Sequence, residues 1–269
     1  NKIDHLEDKA VNEILDDADV ICTTNSSSAS KVMEDREYDL CVIDEATQAT
    51  EPSCLIPTIK TDKLIMAGDH KQLPPTILNE EAKKRGLADT LFERLVALYG
   101  KEVKSLLKIQ YRMHEKIMRF SDEVFYQGKV KAHSSVRSHT LEDITDGDLN
   151  GKFEKVLEKE KPIVFLDTSG NMLERTREGS TSKENQGEAT LAKGIVAELL
   201  GLGVSPSDIG VITPYDDQKD LIKSKMKDEN IEIDTVDGFQ GREKEVIVLS
   251  LTRSNNQSRI GFLKDLRRL

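Results

Sequence analysis

Two adjacent carboxylates, Asp44 and Glu45, directly follow the short apolar run Leu-Cys-Val-Ile at 40–43. A continuous apolar run is typical of a parallel strand whose sheet is covered by helices on both faces. Ligands of such sheets bind beyond the carboxyl ends of the strands. Paired acids at that position suit hydrolysis of a nucleoside triphosphate, because the first can hold a hydrated magnesium ion and the second can deprotonate the attacking water. A solvated turn predicts the same residues, so this pair alone decides nothing.

A second apolar run, Leu-Ile-Met-Ala at 64–67, ends at Gly68 and Asp69. It leads into His-Lys-Gln-Leu-Pro-Pro-Thr at 70–76, where two prolines fix backbone angles and stiffen the loop. A stiff loop beside a ligand can present Gln72 as a hydrogen-bond sensor. A plain turn is the alternative, but it does not account for two predicted strand ends that both lead into polar residues.

A run of hydroxyl and amide side chains, Thr-Thr-Asn-Ser-Ser-Ser at 23–28, follows a predicted strand at 20–22. Such groups can bind phosphate or sugar oxygens of a nucleic acid. A polar linker or a helix cap accounts for them as well, and the spacing alone favours that alternative.

The charge of the chain is unevenly distributed. A formal net charge of -10 argues against a generally basic protein that coats nucleic acid. It is compatible with a strand held in a narrow, locally basic groove. A solvated helix face is an equal alternative for the basic residues that cluster after position 100. These are Lys101, Lys104, Lys108, Arg112, Lys116 and Arg119.

The apolar spacing predicts the elements that must position these residues. An amphipathic helix is expected over 6–15, and the capping box of Thr90 and Glu93 opens a helix that Gly100 can end. Surface loop is expected over most of 127–161 and a mobile loop over 168–182. Strands alternating with helices indicate parallel sheets in two successive α/β units. The later strands are predicted at 163–167, 209–212, 231–234 (edge-like) and 246–251 (buried), and the later helices at 189–200 and 219–227.

As an ordered set, five motifs resemble those of superfamily 1 helicases, in the subgroup that includes senataxin and the nonsense-mediated-decay helicase. The resemblance covers nearly the whole chain, and no single motif carries it. The motifs are Asp-Glu-Ala-Thr-Gln at 44–48, Gly-Asp-His-Lys-Gln-Leu-Pro-Pro-Thr at 68–76, Gln-Tyr-Arg-Met-His at 110–114, Thr-Pro-Tyr at 213–215 with Gln218, and Thr-Val-Asp-Gly-Phe-Gln-Gly-Arg-Glu at 235–243.

The resemblance implies an α/β fold of two RecA-like domains of the P-loop NTPase type, each with a parallel sheet, and ATP bound between them. Residues 1–102 would be the C-terminal part of the first domain, truncated at its N-terminus. Residues 103–269 would be the second domain, truncated at its C-terminus.

The resemblance also implies roles for individual residues. Asp44 would coordinate Mg²⁺ through water, Glu45 would be the general base, and Gln72 would sense the γ-phosphate. Arg112 would reach across the cleft as an arginine finger, since a fixed guanidinium fork neutralises phosphoryl charge better than a flexible ammonium. The further nucleotide contacts would be Asp69, Gly241 and Glu243. Contacts to single-stranded nucleic acid would come from Thr23, Thr24, Pro75, Thr213, Pro214, Tyr215 and Thr235.

The sequence departs from the family pattern in two places. The phosphate-binding Gly-x-x-x-x-Gly-Lys-Ser/Thr does not occur in these 269 residues, and neither Gly128-Lys129 nor Gly151-Lys152 has the leading glycine or the trailing hydroxyl. The last motif would be starting where Arg267-Arg268-Leu269 stands. We therefore expect a fragment, begun without Met, that binds ATP weakly and hydrolyses little by itself, from a parent that is an ATP-dependent helicase.

Two other classes compete with the helicase. A catalytically dead nucleic-acid-binding module would keep the groove but would not need the acids or Arg112. A phosphoacceptor domain with an acidic pocket would be about half this length and would leave the later motifs unexplained. Which nucleic acid is bound, DNA or RNA, is not decided by these residues.

Composition excludes several further classes. Hydrophobic content of 37% and charged content of 33% are typical of a soluble globular protein, and no apolar run approaches the roughly 20 residues that span a bilayer. Three cysteines without Cys-x-x-Cys spacing and five scattered histidines indicate reduced thiols and no zinc site. We expect an intracellular protein, cytoplasmic or nuclear, that acts as a monomer and has no membrane partner.

Overall fold

The computed structural model describes residues 2–148, 151, 153, 156–168, 170–226 and 230–264. The chain divides into two compact units, Asn1–Ser105 and Leu106–Leu269. Both units combine helices with strands, and every pairing between the strands named below is parallel. The chain is therefore α/β, as predicted, with small parallel sheets.

The first unit is built on one pair of strands. Cys41 lies opposite Leu64, so the two strands run in register and end at the same edge. The strands are β1 (Cys41–Ile43) and β2 (Leu64–Met66), and the helices are α1 (Lys2–Asp17), α2 (Glu51–Thr58), α3 (Glu80–Ala82) and α4 (Leu91–Tyr99).

The core of the first unit lies on one face of this sheet. Ile43 packs with the buried residues Cys54 of α2 and Leu91 of α4. On the opposite face Val42 and Ile65 alternate outward and are 60% and 51% exposed. The prediction that helices cover both faces is wrong for these strands, since only one face is covered in the part of the chain that the structure describes.

Helix α4 shows how local sequence sets an element's bounds. The Thr90 hydroxyl accepts a hydrogen bond from the Glu93 amide, and the Glu93 carboxylate accepts one from the Thr90 amide. The helix ends at Gly100, which has a φ of 60°. The predicted capping box and the predicted glycine stop are both confirmed.

The second unit contains two sheets. The larger one has the strand order β6-β5-β7, with Thr213 opposite Thr235 and Ile212 opposite Leu249. Its strands are β5 (Ile209–Thr213), β6 (Glu232–Thr235) and β7 (Val246–Leu249), beside a two-stranded sheet of β3 (Ile109–Gln110) and β4 (Lys131–Ala132). The helices are α5 (Glu115–Ser121), α6 (Gln186–Gly201) and α7 (Asp216–Lys225).

The core of the second unit forms where α6 and α7 pack on the larger sheet. Val196 and Leu199 of α6 pack with Ile222 of α7 and with Ile209 and Val211 of β5, all nearly or fully buried. The predicted apolar face of α6 is therefore the face that stabilises this unit, through removal of apolar surface from water.

Several predicted elements differ in the structure. Residues 20–22 and 163–167 are irregular, and Phe165 is 77% exposed. Their apolar composition suits a strand, but a strand also needs a hydrogen-bonding neighbour, which composition does not supply. β7 ends at Leu249 and is only half-buried, so the prediction of a buried strand over 246–251 is wrong. β6 is an edge strand, as predicted. Lys227, the last residue of the helix predicted at 219–227, lies outside the described residues.

The loop regions agree broadly with expectation. Described residues between 127 and 161 contain only β4 and a short turn, Leu141–Asp143, as regular structure. Lys152 lies outside the described residues, and Gly128 follows a helical turn, not a strand. No helix in the described parts of the chain combines the length and apolarity that crossing a membrane requires. Cys22, Cys41 and Cys54 are free thiols, of which Cys22 is exposed.

Candidate functional site

The carboxyl edge of β1 and β2 brings the two acidic motifs of the first unit together. The Ala67 amide donates to the Ile43 carbonyl (2.9 Å), and the Ala46 amide donates to the Ala67 carbonyl (2.8 Å). These bonds keep the two chains side by side just beyond the strand ends. The segments that carry Asp44-Glu45 and Gly68-Asp69 therefore leave the sheet next to each other.

Asp44 is exposed at this edge. Its Oδ1 accepts a hydrogen bond from the Glu45 amide at 2.9 Å. Among the described residues no cation pairs with its carboxylate. A hard carboxylate oxygen that faces solvent without a competing cation is the type of ligand that a hydrated divalent cation takes, so the residue fits the magnesium role that the sequence predicts.

Glu45 adopts a left-handed backbone conformation with a φ of 49°. This conformation costs a non-glycine residue about 1–2 kcal/mol, and such strain is concentrated at functional sites. The side chain is held in place by Gln48, whose Nε2 donates to Glu45 Oε2 at 2.6 Å. The carboxylate is thus both exposed and oriented.

Asp69 and Gln72 form the second half of the edge. Gln72 Nε2 donates to Asp69 Oδ2 at 3.2 Å, and the Lys71 amide donates to Asp69 Oδ1 at 3.0 Å. The buried Thr47 hydroxyl accepts from the Asp69 amide at 3.2 Å and so links this loop to the Asp44-Glu45 segment. Gly68 is needed at this junction, because a Cβ there would lie 3.1 Å from Thr47 atoms.

His70 lies next to these residues and stacks on Phe92, with ring centroids 6.1 Å apart. Burial lowers the pKa of His70, and the nearby charges of Lys104 and Lys71 lower it further. A neutral imidazole is therefore favoured beside the acidic edge.

The hydroxyl run of the first unit has the local role that the alternative predicted. The Thr24 hydroxyl accepts from the Ser27 amide at 3.2 Å and donates to Ser27 Oγ at 2.9 Å, beside the short turn Ser27–Ala29, whose N-cap residue Ser26 makes no side-chain capping bond. Thr23 is exposed, whereas Pro75 is buried. Of the three residues of this unit that the resemblance assigns to nucleic acid, Thr23 and Thr24 are therefore accessible and Pro75 is not.

In the second unit, Arg112 and Glu243 are brought together across 131 residues of sequence. Arg112 Nε donates to Glu243 Oε2 at 2.8 Å, and the two side chains are 55% and 67% exposed. Gln110 shapes the turn that carries Arg112, because its Oε1 accepts from the amides of Arg112 (2.8 Å) and Met113 (2.9 Å). Gly241, two residues before Glu243, is exposed and has a φ of 79°.

The basic residues after position 100 are partly neutralised. Arg119 donates to Glu123 at 2.7 Å, and Arg112 is paired with Glu243. Lys101 and Lys104 belong to the first unit and the other four to the second. The basic density seen in the sequence is therefore divided between the two units, and two of its six cations are paired with carboxylates.

The polar residues at the carboxyl edge of β5 and β6 are bonded within the protein. The Thr213 hydroxyl is fully buried and lies 3.0 Å from the Thr252 hydroxyl. The Tyr215 hydroxyl accepts from Arg253 Nη1 at 3.1 Å, and the residue is 5% exposed. Thr235 Oγ1 accepts from the Gly238 amide at 3.1 Å. Thr235 and Pro214 are half-buried, so they are more accessible than Thr213 and Tyr215.

A buried polar network beneath this edge was missed by the sequence analysis. Glu188 of α6 accepts from the Ser250 hydroxyl (2.7 Å) and the Thr252 amide (2.8 Å). Gln218 of α7 donates to Ser250 Oγ (3.0 Å) and accepts from the Asn185 amide (2.7 Å). The sequence feature that could have indicated this network is Asn185, which caps α6 three residues before Glu188.

This network holds Thr252 in a strained conformation. Thr252 is fully buried and has a φ of 68°, a conformation that β-branched residues rarely adopt. Its amide is fixed by Glu188 and its hydroxyl by Thr213. The chain after β7 is thereby directed so that Arg253 meets Tyr215.

Comparison with models of known families identifies the class of protein to which the chain belongs. A family model described as an AAA domain matches residues 87–269, and a second AAA domain model matches residues 1–80. These domains belong to the P-loop ATPases and imply RecA-like folds.

Curated relatives narrow the class. An uncharacterized ATP-dependent helicase of Methanocaldococcus jannaschii is 47% identical over 273 residues, covering 100% of this chain and 39% of that protein. DNA-binding protein SMUBP-2 of Mesocricetus auratus is 40% identical over 270 residues, covering 98% and 27%. DNA polymerase alpha-associated DNA helicase A of Saccharomyces cerevisiae is 39% identical over 285 residues, covering 98% and 42%.

The chain belongs to the superfamily 1 helicases, in the group that includes DNA-binding protein SMUBP-2 and regulator of nonsense transcripts 1. The resemblance predicted from the motifs is confirmed. The chain spans between 24% and 42% of the length of the curated relatives it matches.

Proposed function

We propose that this protein is an ATP-driven helicase motor that moves along single-stranded nucleic acid and separates paired strands. The observation that carries the proposal is the exposed acidic edge of β1 and β2, where Glu45 is held in a strained conformation beside Asp44. The relatives named ATP-dependent helicase and DNA helicase support the same activity. We further propose a monomer that moves in the 5′-to-3′ direction of the subgroup.

The acidic edge would perform the hydrolysis. Bound Mg²⁺ would supply positive charge to the phosphates of ATP. Asp44 would hold this ion through water, and Glu45 would take the proton of the attacking water. Gln72, already directed by Asp69, would donate a hydrogen bond to the terminal phosphate.

The second unit would supply the remaining nucleotide contacts. Arg112 would offer its guanidinium to the phosphoryl charge, which suits an exposed side chain on a turn fixed by Gln110. Glu243 and Gly241 would contact the nucleotide from the same surface. The buried Thr213 and Tyr215 would position their neighbours, while Thr23, Thr24, Pro214 and Thr235 would contact the strand. Pro75 would support its loop from within.

These 269 residues contain no Gly-x-x-x-x-Gly-Lys-Ser/Thr loop. Because that loop supplies most phosphate contacts in P-loop enzymes, we propose low ATP turnover for this polypeptide by itself. The decisive assays therefore use the full-length protein.

The test is Glu45→Gln in the full-length protein, with ATP turnover measured with and without single-stranded oligonucleotide. Loss of the base should lower turnover roughly 10²–10⁴-fold while nucleotide binding persists. Glu7→Gln, an exposed change on α1, is the matched control and should leave turnover unchanged. Unchanged turnover in Glu45→Gln would remove Glu45 from catalysis. A wild-type protein that binds strands without hydrolysing ATP would instead be the catalytically dead binding module.

A further inference from the structure

A cavity of about 670 Å³ lies in the second unit between the loop that begins at Leu173 and the segment that follows Arg253. Its volume is within the range of pockets that hold nucleotide-sized ligands. Among the described residues its lining contains four cations and one carboxylate, in a chain whose net charge is -10. The charged lining residues are Glu174, Arg175, Lys183, Arg253 and Arg259.

The carboxylate of Glu174, the one acidic group in the described lining, is neutralised by neighbouring groups of the same lining. Glu174 Oε2 accepts hydrogen bonds from Arg253 Nε (2.8 Å), the Ser254 amide (2.9 Å) and Asn255 Nδ2 (3.2 Å). Burial disfavours the charge of Arg253, but its hydrogen bonds to Tyr215 and Glu174 hold its pKa above the usual value. Glu174 and Arg253 therefore form a rigid, neutral pair instead of a negative surface.

Two cations of the lining remain uncompensated. Arg175 donates to the buried Glu184 at 2.5 Å, and Arg177 contacts the same carboxylate. Lys183 Nζ donates only to a hydroxyl, that of Thr176, at 2.6 Å. Within the described parts of the chain, neither Lys183 nor Arg259 has an acidic partner, and Arg259 is exposed.

The rest of the polar lining suits a sugar-phosphate backbone. Thr176, Ser254, Asn256 and Gln257 supply hydroxyl and amide groups. No aromatic side chain lines the cavity among the described residues, so bases have no stacking platform there. Contacts of this type hold a strand without reading its sequence.

The cavity is tied to a segment that the motifs assign to strand contact. Arg253 Nη1 donates to the Tyr215 hydroxyl at 3.1 Å. On the other side, Arg177 Nη2 donates to the Asp217 carbonyl (3.0 Å), and the Asp217 amide donates to Ser182 Oγ (3.2 Å). The loop that borders the cavity is thus fixed to the first turn of α7, next to Pro214 and Tyr215.

We propose that this cavity binds a backbone phosphate of single-stranded nucleic acid, with Lys183 and Arg259 as the charged contacts. This inference rests on the proposed function for its ligand and extends the contact surface beyond the recognised motifs. A phosphate of a free nucleotide has the same chemistry, and the experiment separates the two sources.

The experiment measures binding of a fluorescent oligothymidylate to the full-length protein without ATP, across a salt series. Lys183→Ala and Arg259→Ala should each weaken binding several-fold at low salt. Each should also lower the steepness of log K against log salt by about 0.7, the effect of losing one phosphate contact to a single strand. Lys183→Arg should keep the wild-type slope. Lys193→Ala, an exposed lysine of α6 outside the cavity, is the matched control and should change neither quantity.

The same variants are assayed for the KM of ATP. Strand affinity and salt slope equal to wild type in both alanine variants would overturn the proposal. A raised KM for ATP with unchanged strand binding would assign the cavity to a nucleotide phosphate and would also overturn it. Because strand binding is measured without hydrolysis, the expected slopes in a protein that lacks ATPase activity would support the cavity while refuting the motor.

Discussion

At the carboxyl edge of β1 and β2, Asp44 and Glu45 are exposed, and Asp44 has no cation beside it among the described residues. At the carboxyl edge of β5 and β7, Thr213 and Thr252 are fully buried and bonded to each other. Both edges end parallel strands in polar residues, and both contain a non-glycine residue with positive φ, Glu45 in one and Thr252 in the other.

The difference teaches how to assign polar residues at strand ends. Where buried partners satisfy them, as with Glu188 and Ser250, their contribution is to stability, since an unsatisfied buried group costs about 1–3 kcal/mol. Where they face solvent, as Asp44 and Glu45 do, we propose that they contact ligands. Exposure, more than position in the sheet, is the feature that separates the two roles.

The sharpest test of this distinction is Arg112→Ala. Arg112 lies in the second unit, like the buried Thr213 and Thr252, but its own side chain is exposed. Loss of the guanidinium should lower ATP turnover of the full-length protein by roughly 10³-fold or more. Its exposed pair with Glu243 contributes about 0–1 kcal/mol, so the melting temperature should barely change. Arg112→Lys should not restore turnover, since an ammonium lacks the planar fork. A large loss of stability with intact turnover would place Arg112 among the structural residues.

The converse test is Glu188→Leu. It leaves the Ser250 hydroxyl and the Thr252 amide without a buried acceptor, so we expect a loss of about 3 kcal/mol in the free energy of unfolding. Denaturant unfolding measures this loss, and Glu188→Gln, which keeps one oxygen, should cost less. If Glu188→Leu lowered the free energy of unfolding no more than an exposed substitution such as Glu7→Gln, the structural role of Glu188 would be contradicted.

A smaller effect is expected for Glu45→Gly. Glycine relieves the left-handed backbone, so stability should rise by about 0.5–1 kcal/mol even though the carboxylate that we propose as the base is lost. Glu45→Ala keeps the strained backbone and should show no such gain. Thermal unfolding of the two variants provides the comparison, and equal melting temperatures would indicate that the conformation at Glu45 costs nothing.

The smallest effect concerns Glu232, which is bonded to Arg242 and lies 3.2 Å from Lys244. Burial raises its pKa, but the hydrogen bonds from these two cations hold the pKa below its usual value of 4.5. A carboxylate whose pKa is lowered in the folded state stabilises the fold fully at pH values above 4.5. This stabilisation is lost as the pH falls through the lowered pKa. Glu232→Gln should therefore cost about 0.5 kcal/mol at pH 7 and nothing at low pH. Melting temperatures at both pH values test this, and a difference that persists in acid would refute it.

Elements with local causes were predictable from the sequence. The capping box of Thr90 and Glu93 spans three residues and needs no tertiary partner. The strand end at Ile43 was also found, because the apolar run stops there at Asp44, and the end of β2 at Met66 lies one residue before the end of the predicted apolar run at Ala67. These local features are sufficient to predict the acidic edge of β1 and β2 from the sequence.

Features that depend on distant partners were not predictable. Glu188 and Ser250 are 62 residues apart, and nothing local marks them as a pair. Residues 163–167 have strand composition but pair with no strand in the described part of the chain. The hydroxyl run at 23–28 was ambiguous because local hydrogen bonding and phosphate binding use the same side chains, and in the structure the Thr24 hydroxyl bonds locally to the Ser27 amide.

The strained Thr252 has a mechanical consequence. The motor that we propose would have to withstand tension where it holds the strand. A pull at the cavity beside Arg253 would pass through the Thr252 amide to Glu188 and into α6, and through Tyr215 to the start of α7. Both helices pack in the core of the unit, so the load would be carried by the best-packed part of the unit and not by its loops.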